Sequence, residues 1–234
     1  METIQKHKNS FLKTILKQKQ REKTNDKEIE KDVQQEKINS EIKSTAIFLA
    51  LFMSAVLGRV ALQFVPSVEP IIPIAILAGL LFGAKEGFSL GFFAYVVSNF
   101  FVWGLQGPWT LFQALGAGIP AAGAGLIGKV KQPTKRDFII MSIAGTIFFE
   151  VLMNLFGSLF FYGLFLGALS LPIYFLTSLP FSIAHIAANI GFAGLFSKFL
   201  KLKNKVNEDD EIKVLSVSKH TDGSTTSVRL YKFK

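Results

Sequence analysis

The 234-residue chain is 50% hydrophobic and contains 24 Phe, yet its 18% of charged residues leave a formal net charge of +9. Of its 26 Lys and Arg, eleven lie in residues 1–43, nine from Lys198 onward, and only six between, at Arg59, Lys85, Lys129, Lys131, Lys135 and Arg136. Segregation of this kind excludes a soluble core and a basic nucleic-acid-binding fold, whose positive charge would cover a folded face, while the absence of Cys excludes disulfides, thiolate metal sites and cysteine catalysis.

Residues 1–43 are rich in Lys, Glu and Gln with no signal-type apolar core, so they read as a retained, solvated tail. Within it, Phe11, Leu12, Ile15 and Leu16 alternate with Lys13, Lys17 and Lys19 and could form one amphipathic turn on anionic lipid. Residues 44–200 divide at Pro, Gly and charge into six apolar segments: 44–65, 71–84, 88–103, 110–129, 138–162 and 172–200. Such lengths match a hydrocarbon core about 30 Å thick, the second and third segments being short. The amino-terminal tail, the turn at Lys85-Glu86-Gly87, the loop from Lys129 to Asp137 and the tail from Lys198 carry the basic residues. The alternate loops, 66–70, 104–107 and 163–171, carry no Lys or Arg. By the positive-inside rule both termini are cytoplasmic and the protein crosses the cell membrane six times. The expected fold class is an all-α integral membrane protein, a six-transmembrane-helix bundle. Residues 201–234 form a cytoplasmic tail in which 211–234 alternate around Asp222-Gly223 as a small β-hairpin.

Ala46, Ala50, Ser54 and Gly58 recur every four residues and place small side chains on one stripe of the first span, a surface on which another helix, internal or from a partner, can approach closely. Gly79, Gly83, Gly87 and Gly91 form a second series, expected to pack a tight helix-turn-helix. Ionisable groups in lipid are costly and thus functional suspects; three stand out, Arg59, Glu150 and His185. Glu150 and Asn154 share one helix face, as do His185 and Asn189. Two readings stay open, a structural network with Arg59 paired to Glu150 or a polar lining for a ligand cavity, and Asn99 can join either. Trp103 and Trp109 flank a Gly-rich turn with Gln106, Pro108 and Gln113, suiting an interfacial aromatic belt or a stacking surface for a ring-shaped ligand.

Enzyme signatures fail on context. Gly87-Phe88-Ser89-Leu90-Gly91 matches G-x-S-x-G but opens an apolar helix. Gly123-Ala124-Gly125-Leu126-Ile127-Gly128 matches G-x-G-x-x-G but follows no strand. No catalytic residue, cofactor or metal site is expected, since His185 is the one His in the apolar block.

Taken together, Gly58-Arg59 with Pro66-Ser67-Val68-Glu69-Pro70, Leu77-Ala78-Gly79-Leu80-Leu81-Phe82-Gly83, Gln106-Gly107-Pro108-Trp109-Thr110-Leu111-Phe112-Gln113, and Pro180-Phe181-Ser182-Ile183-Ala184-His185 with Asn189 and Phe192 resemble the substrate-binding S components of energy-coupling-factor (ECF) transporters for vitamins and related micronutrients. The resemblance covers about residues 44–200, and both long tails depart from it. It implies a non-enzymatic six-helix subunit that binds a vitamin or vitamin precursor near the outer face. Its partners would be a transmembrane coupling subunit and a cytoplasmic ATPase pair, with no nucleic acid. Carried over by position, Ala46, Ala50, Ser54 and Gly58 would be the docking stripe, and Arg59, Gln106, Trp109, Gln113, Asn154, His185 and Asn189 the substrate-binding residues. The pocket chemistry suggests a flat, mostly aromatic molecule bearing an acceptor or anionic group. A stand-alone carrier is the alternative, followed by an intramembrane hydrolase or a membrane scaffold.

Overall fold

The computed structural model describes residues 24, 31, 34, 35, 37–102 and 107–202. The expected amphipathic turn at 11–19, Trp103, Gln106 and the hairpin at 211–234 lie outside the described residues. Within them the chain is helical, with no strand. Helix α1 is Lys37–Leu62, α2 Ile71–Phe82, α3 Ala84–Asn99 and α4 Pro108–Val130. A last helical run, Lys135–Phe196, is broken at Gly163, whose φ of 73° and ψ of 179° are not helical; its two parts are α5 (135–162) and α6 (164–196), followed by a 3₁₀ turn at Ser197–Lys201. Three runs, Lys37–Leu62, Pro108–Val130 and Lys135–Lys201, are long and apolar enough to cross a membrane.

The local chemistry explains most boundaries. Pro108 opens α4, where its missing N–H costs nothing. The same helix ends at Val130, ahead of Pro133, with Lys129 in its last turn to offset the helix dipole. Thr134 and Asp137 form a reciprocal capping box at the start of α5. Asp137 also binds Lys131 at 2.7 Å, and this hydrogen bond, followed by those from Thr134, holds its carboxyl down at about 2. Two boundaries differ from the sequence reading. The turn between α2 and α3 falls at Gly83, with φ 126°, so Lys85, Glu86 and Gly87 lie inside α3. Residues 164–171, expected as a loop, belong to α6. There the buried Ser158 hydroxyl donates to Gly167 O at 2.7 Å and meets Ser170 Oγ at 3.0 Å, stapling α5 to the beginning of α6.

Because α2 is apolar on every side, no face of it can be left to polar surroundings, and Ile71 through Leu81 are all buried. At 12 residues it is about 18 Å long, shorter than a hydrocarbon core about 30 Å thick. Around it α2, α3 and α4 meet backbone to backbone. A Cβ at Gly79 would collide with Ala121 O, one at Gly87 would lie 2.6 Å from Gly79 Cα, and one at Gly125 would collide with the backbone of Ala84. The glycine series thus does pack the α2–α3 turn, with α4 completing the contact. Pairings of 158 with 170, 150 with 182 and 185, and 146 with 189 make α5 and α6 an antiparallel hairpin. Large apolar side chains remain exposed around the bundle, among them Leu49 and Leu57 on α1, Leu126 on α4, and Phe161, Phe165 and Leu176 on the hairpin. Such continuous apolar surface suits a lipid surround.

Candidate functional site

Most of the polar side chains that the helices bury converge on two linked groups. The first is built around Arg59, near the end of α1 and 7% exposed. Its Nε donates to Glu69 Oε2 at 2.6 Å, and its Nη1 to Ser98 Oγ at 2.8 Å and Asn99 Oδ1 at 2.5 Å. Glu69 comes from the α1–α2 connection, and Ser67 just before it holds a positive φ of 62°. That conformation costs a non-glycine residue about 1–2 kcal/mol, and it lies in the segment that returns the carboxylate to Arg59. Tyr95, fully buried on α3, donates its hydroxyl to Glu69 Oε1, while its ring lies beneath the guanidinium, 4.7 Å from Cζ to centroid.

Asn99 extends this group to α4. Its Nδ2 donates to Thr110 Oγ1 and Gln113 Oε1, both at 2.9 Å. One amide therefore ties the ends of α1 and α3 to the beginning of α4, its oxygen facing the cation and its nitrogen the two acceptors.

The second group lies across α5 and α6. Glu150 accepts from Ser182 Oγ at 2.6 Å and pairs through Oε1 with His185 Nδ1 at 2.6 Å. One turn back along α5 and one turn on along α6, Asn189 Nδ2 donates to Thr146 Oγ1 at 2.8 Å. The His185 ring stands edge-on to Phe149, which stacks on Tyr95. Across the interval between the groups, His185 Nε2 faces Glu69 Oε1 at 3.8 Å.

Of the two readings left open by the sequence, the one that pairs Arg59 with Glu150 is not found: Arg59 pairs with Glu69, and Glu150 with His185. Of the sequence-derived binding residues, Arg59, Gln113, His185 and Asn189 belong to these groups. Asn154 is buried but gives its Nδ2 to Glu150 O of its own helix at 2.8 Å. Trp109 is half-buried against Phe156 and Phe161, with Phe112 stacked on Phe156 at 3.7 Å, an aromatic shelf one turn from Gln113. Glu69 and Tyr95 were missing from the expected binding set. A signal for Glu69 was present, for it is the one charged residue in the otherwise uncharged loops at 66–70, 104–107 and 163–171. Among the described residues no group of three or more His, Cys, Asp or Glu is placed to hold a metal ion.

On α1, Ala46, Ala50 and Ser54 are exposed. Gly58 departs from that stripe, since a Cβ there would lie 2.6 Å from Pro70 Cγ; it serves the internal contact between α1 and the start of α2.

These features define a helical bundle with the composition of a membrane protein and a buried polar cluster. The chain matches no family model, no curated protein and no solved structure.

Proposed function

We propose that the protein is a multi-pass membrane subunit that binds a small, vitamin-like solute and delivers it to an ATP-driven importer of the energy-coupling-factor kind. In this reading α1 to α6 all lie in the cell membrane, with both termini cytoplasmic and the cluster opening toward the outer face. The chain performs no chemical step itself. The observation that carries the reading is the polar cluster. Arg59, Glu69, Asn99, Gln113, Glu150 and His185 gather from α1, α3, α4, α5, α6 and one connection into an otherwise apolar bundle, where isolated polar groups cost several kcal/mol each. Beside them lies the aromatic shelf of Trp109, Phe112 and Phe156, suited to a flat ring. The exposed small-residue face at Ala46, Ala50 and Ser54 would receive the transmembrane coupling subunit, itself driven by a pair of cytoplasmic ATPases.

Two measurements test this. Native mass spectrometry of the detergent-purified full chain is expected to detect a bound small molecule that is lost in Trp109→Ala and in His185→Ala. Purification from cells of its own source is expected to recover one membrane partner and two ATPases in fixed ratio, and Ala50→Leu to abolish that recovery. Unchanged assembly in Ala50→Leu would remove the docking face. Solute uptake into vesicles holding this chain alone would favour a stand-alone carrier.

A further inference from the structure

The hydrogen-bond directions in the cluster leave one position chemically incomplete. His185 Nδ1 lies 2.6 Å from a Glu150 oxygen, and a carboxylate can only accept, so Nδ1 carries the hydrogen. In the neutral ring Nε2 is then a bare acceptor. It is buried without any hydrogen-bond partner, its side chain only 3% exposed, and it faces a second acceptor, Glu69 Oε1, at 3.8 Å. One turn along α6, Asn189 donates its nitrogen to Thr146, which leaves Oδ1 as a further buried acceptor without a partner. Formal charge points the same way. Glu69 and Glu150 carry two negative charges against the single positive charge of Arg59, with side-chain exposures of only 15%, 17% and 8%. Acceptors and negative charge are both in excess where water is scarce, and burying such groups unpaired is expensive.

We infer that the solute taken by this cluster is a small planar organic cation, one N–H of which donates to His185 Nε2 while its charge lies beside Glu69. A guanidinium, amidinium or protonated aminoheterocycle has this chemistry: its charge balances the second carboxylate, and its hydrogens supply the donors that Nε2 lacks. The anionic or acceptor-bearing solute expected from the sequence would instead add acceptors to acceptors. The inference rests on the ligand-binding reading above and sharpens it by sign of charge. A proton on Nε2 is the competing way to complete the site; the groups around the imidazole that would govern it are Glu150 and Ser182 on one side and Glu69, with Arg59 and Tyr95 behind it, on the other.

The test compares three probes of nearly equal size, benzamidinium, benzamide and benzoate, each at millimolar concentration and mildly alkaline pH, by thermal unfolding of the detergent-purified full chain. Benzamidinium alone is expected to raise Tm, by about 3 °C or more once it exceeds its Kd tenfold. Glu69→Gln is expected to abolish that shift. Asn189→Asp, which adds a carboxylate and leaves the Arg59 pair intact, is expected to enlarge it, so the proposal stays testable if Glu69→Gln fails to fold. Stabilisation by benzoate, or by benzamide as much as by benzamidinium, overturns the cationic class while leaving a ligand site. No shift with any probe, whether or not Tm falls as pH rises, also overturns it; a Tm that does fall identifies a proton on Nε2 as what completes the cluster. Recovery of the coupling subunit and ATPases does not depend on these outcomes, so failure of the importer reading is scored separately.

Discussion

The pairing of Arg59 with Glu69 makes the sharpest energetic prediction. The contact is 2.6 Å between Nε and Oε2, with side-chain exposures of 8% and 15%. With charge centres roughly 4 Å apart and an effective dielectric near 20, the bare attraction is about 4 kcal/mol. Desolvation of both ions offsets much of it, but removing a single partner leaves the other buried and uncompensated, which costs about 3–5 kcal/mol. Glu69→Leu is therefore expected to destabilise by about 3 kcal/mol or more, because Ser98 and Asn99 still accept from the guanidinium but carry no charge. Arg59→Met is expected to cost slightly less, since Tyr95 still donates to Glu69. The double variant leaves neither charge stranded; it loses the acceptor of Tyr95 and the donor to Ser98 and Asn99, interhelical hydrogen bonds worth about 0.6 kcal/mol each in lipid. It should therefore be more stable than Glu69→Leu, with a coupling energy of about 2 kcal/mol. The assay is reversible unfolding in mixed detergent micelles followed by circular dichroism. A coupling below about 0.5 kcal/mol, the range of independent sites, would refute the assignment of this pair.

Other variants separate packing from conformation. Gly123 has nothing within 4 Å of a built Cβ, whereas Gly125 would drive one into the backbone of Gly83 and Ala84; Gly123→Ala should stabilise by about 0.5–1 kcal/mol through helix propensity, and Gly125→Ala destabilise by about 1–3 kcal/mol or more, both read from the same unfolding curves. Gly163→Ala also meets no atoms, yet its φ of 73° and ψ of 179° favour glycine alone, so a loss of about 1–3 kcal/mol is expected, and none at all would refute the kink. Thr134→Ala removes the N-cap of α5 and should cost about 1 kcal/mol. The Asp137 carboxyl, held at about 2 below its unfolded value, contributes stability that is fully present above the unfolded value and lost as pH falls through about 2; the Thr134→Ala difference should hence be constant from neutral pH to about pH 5.

Much of the bundle was legible because lipid-compatible helices announce themselves locally. All-round apolarity at 71–82, a proline opening α4 and glycines at fourfold spacing each have a physical consequence within one or two turns. A charged residue does not mark the turn: Lys85 lies within α3, and the turn falls at Gly83, whose φ of 126° an L side chain resists. Likewise 164–171 is polar-poor but Gly-containing, and nothing local reveals that Ser158 meets Gly167 and Ser170 across a hairpin.

For the site, the sequence by itself determined which residues needed explanation, since Arg59, Glu150 and His185 are ionisable groups within apolar runs and must find partners there. Tertiary structure alone decided which partners. The register of α5 against α6 sets Glu150 beside His185, and the connection through Ser67 returns Glu69 to Arg59. Both depend on where distant backbone segments come to rest. The same long-range geometry leaves His185 Nε2 facing a carboxylate, the juxtaposition from which a cationic solute is inferred.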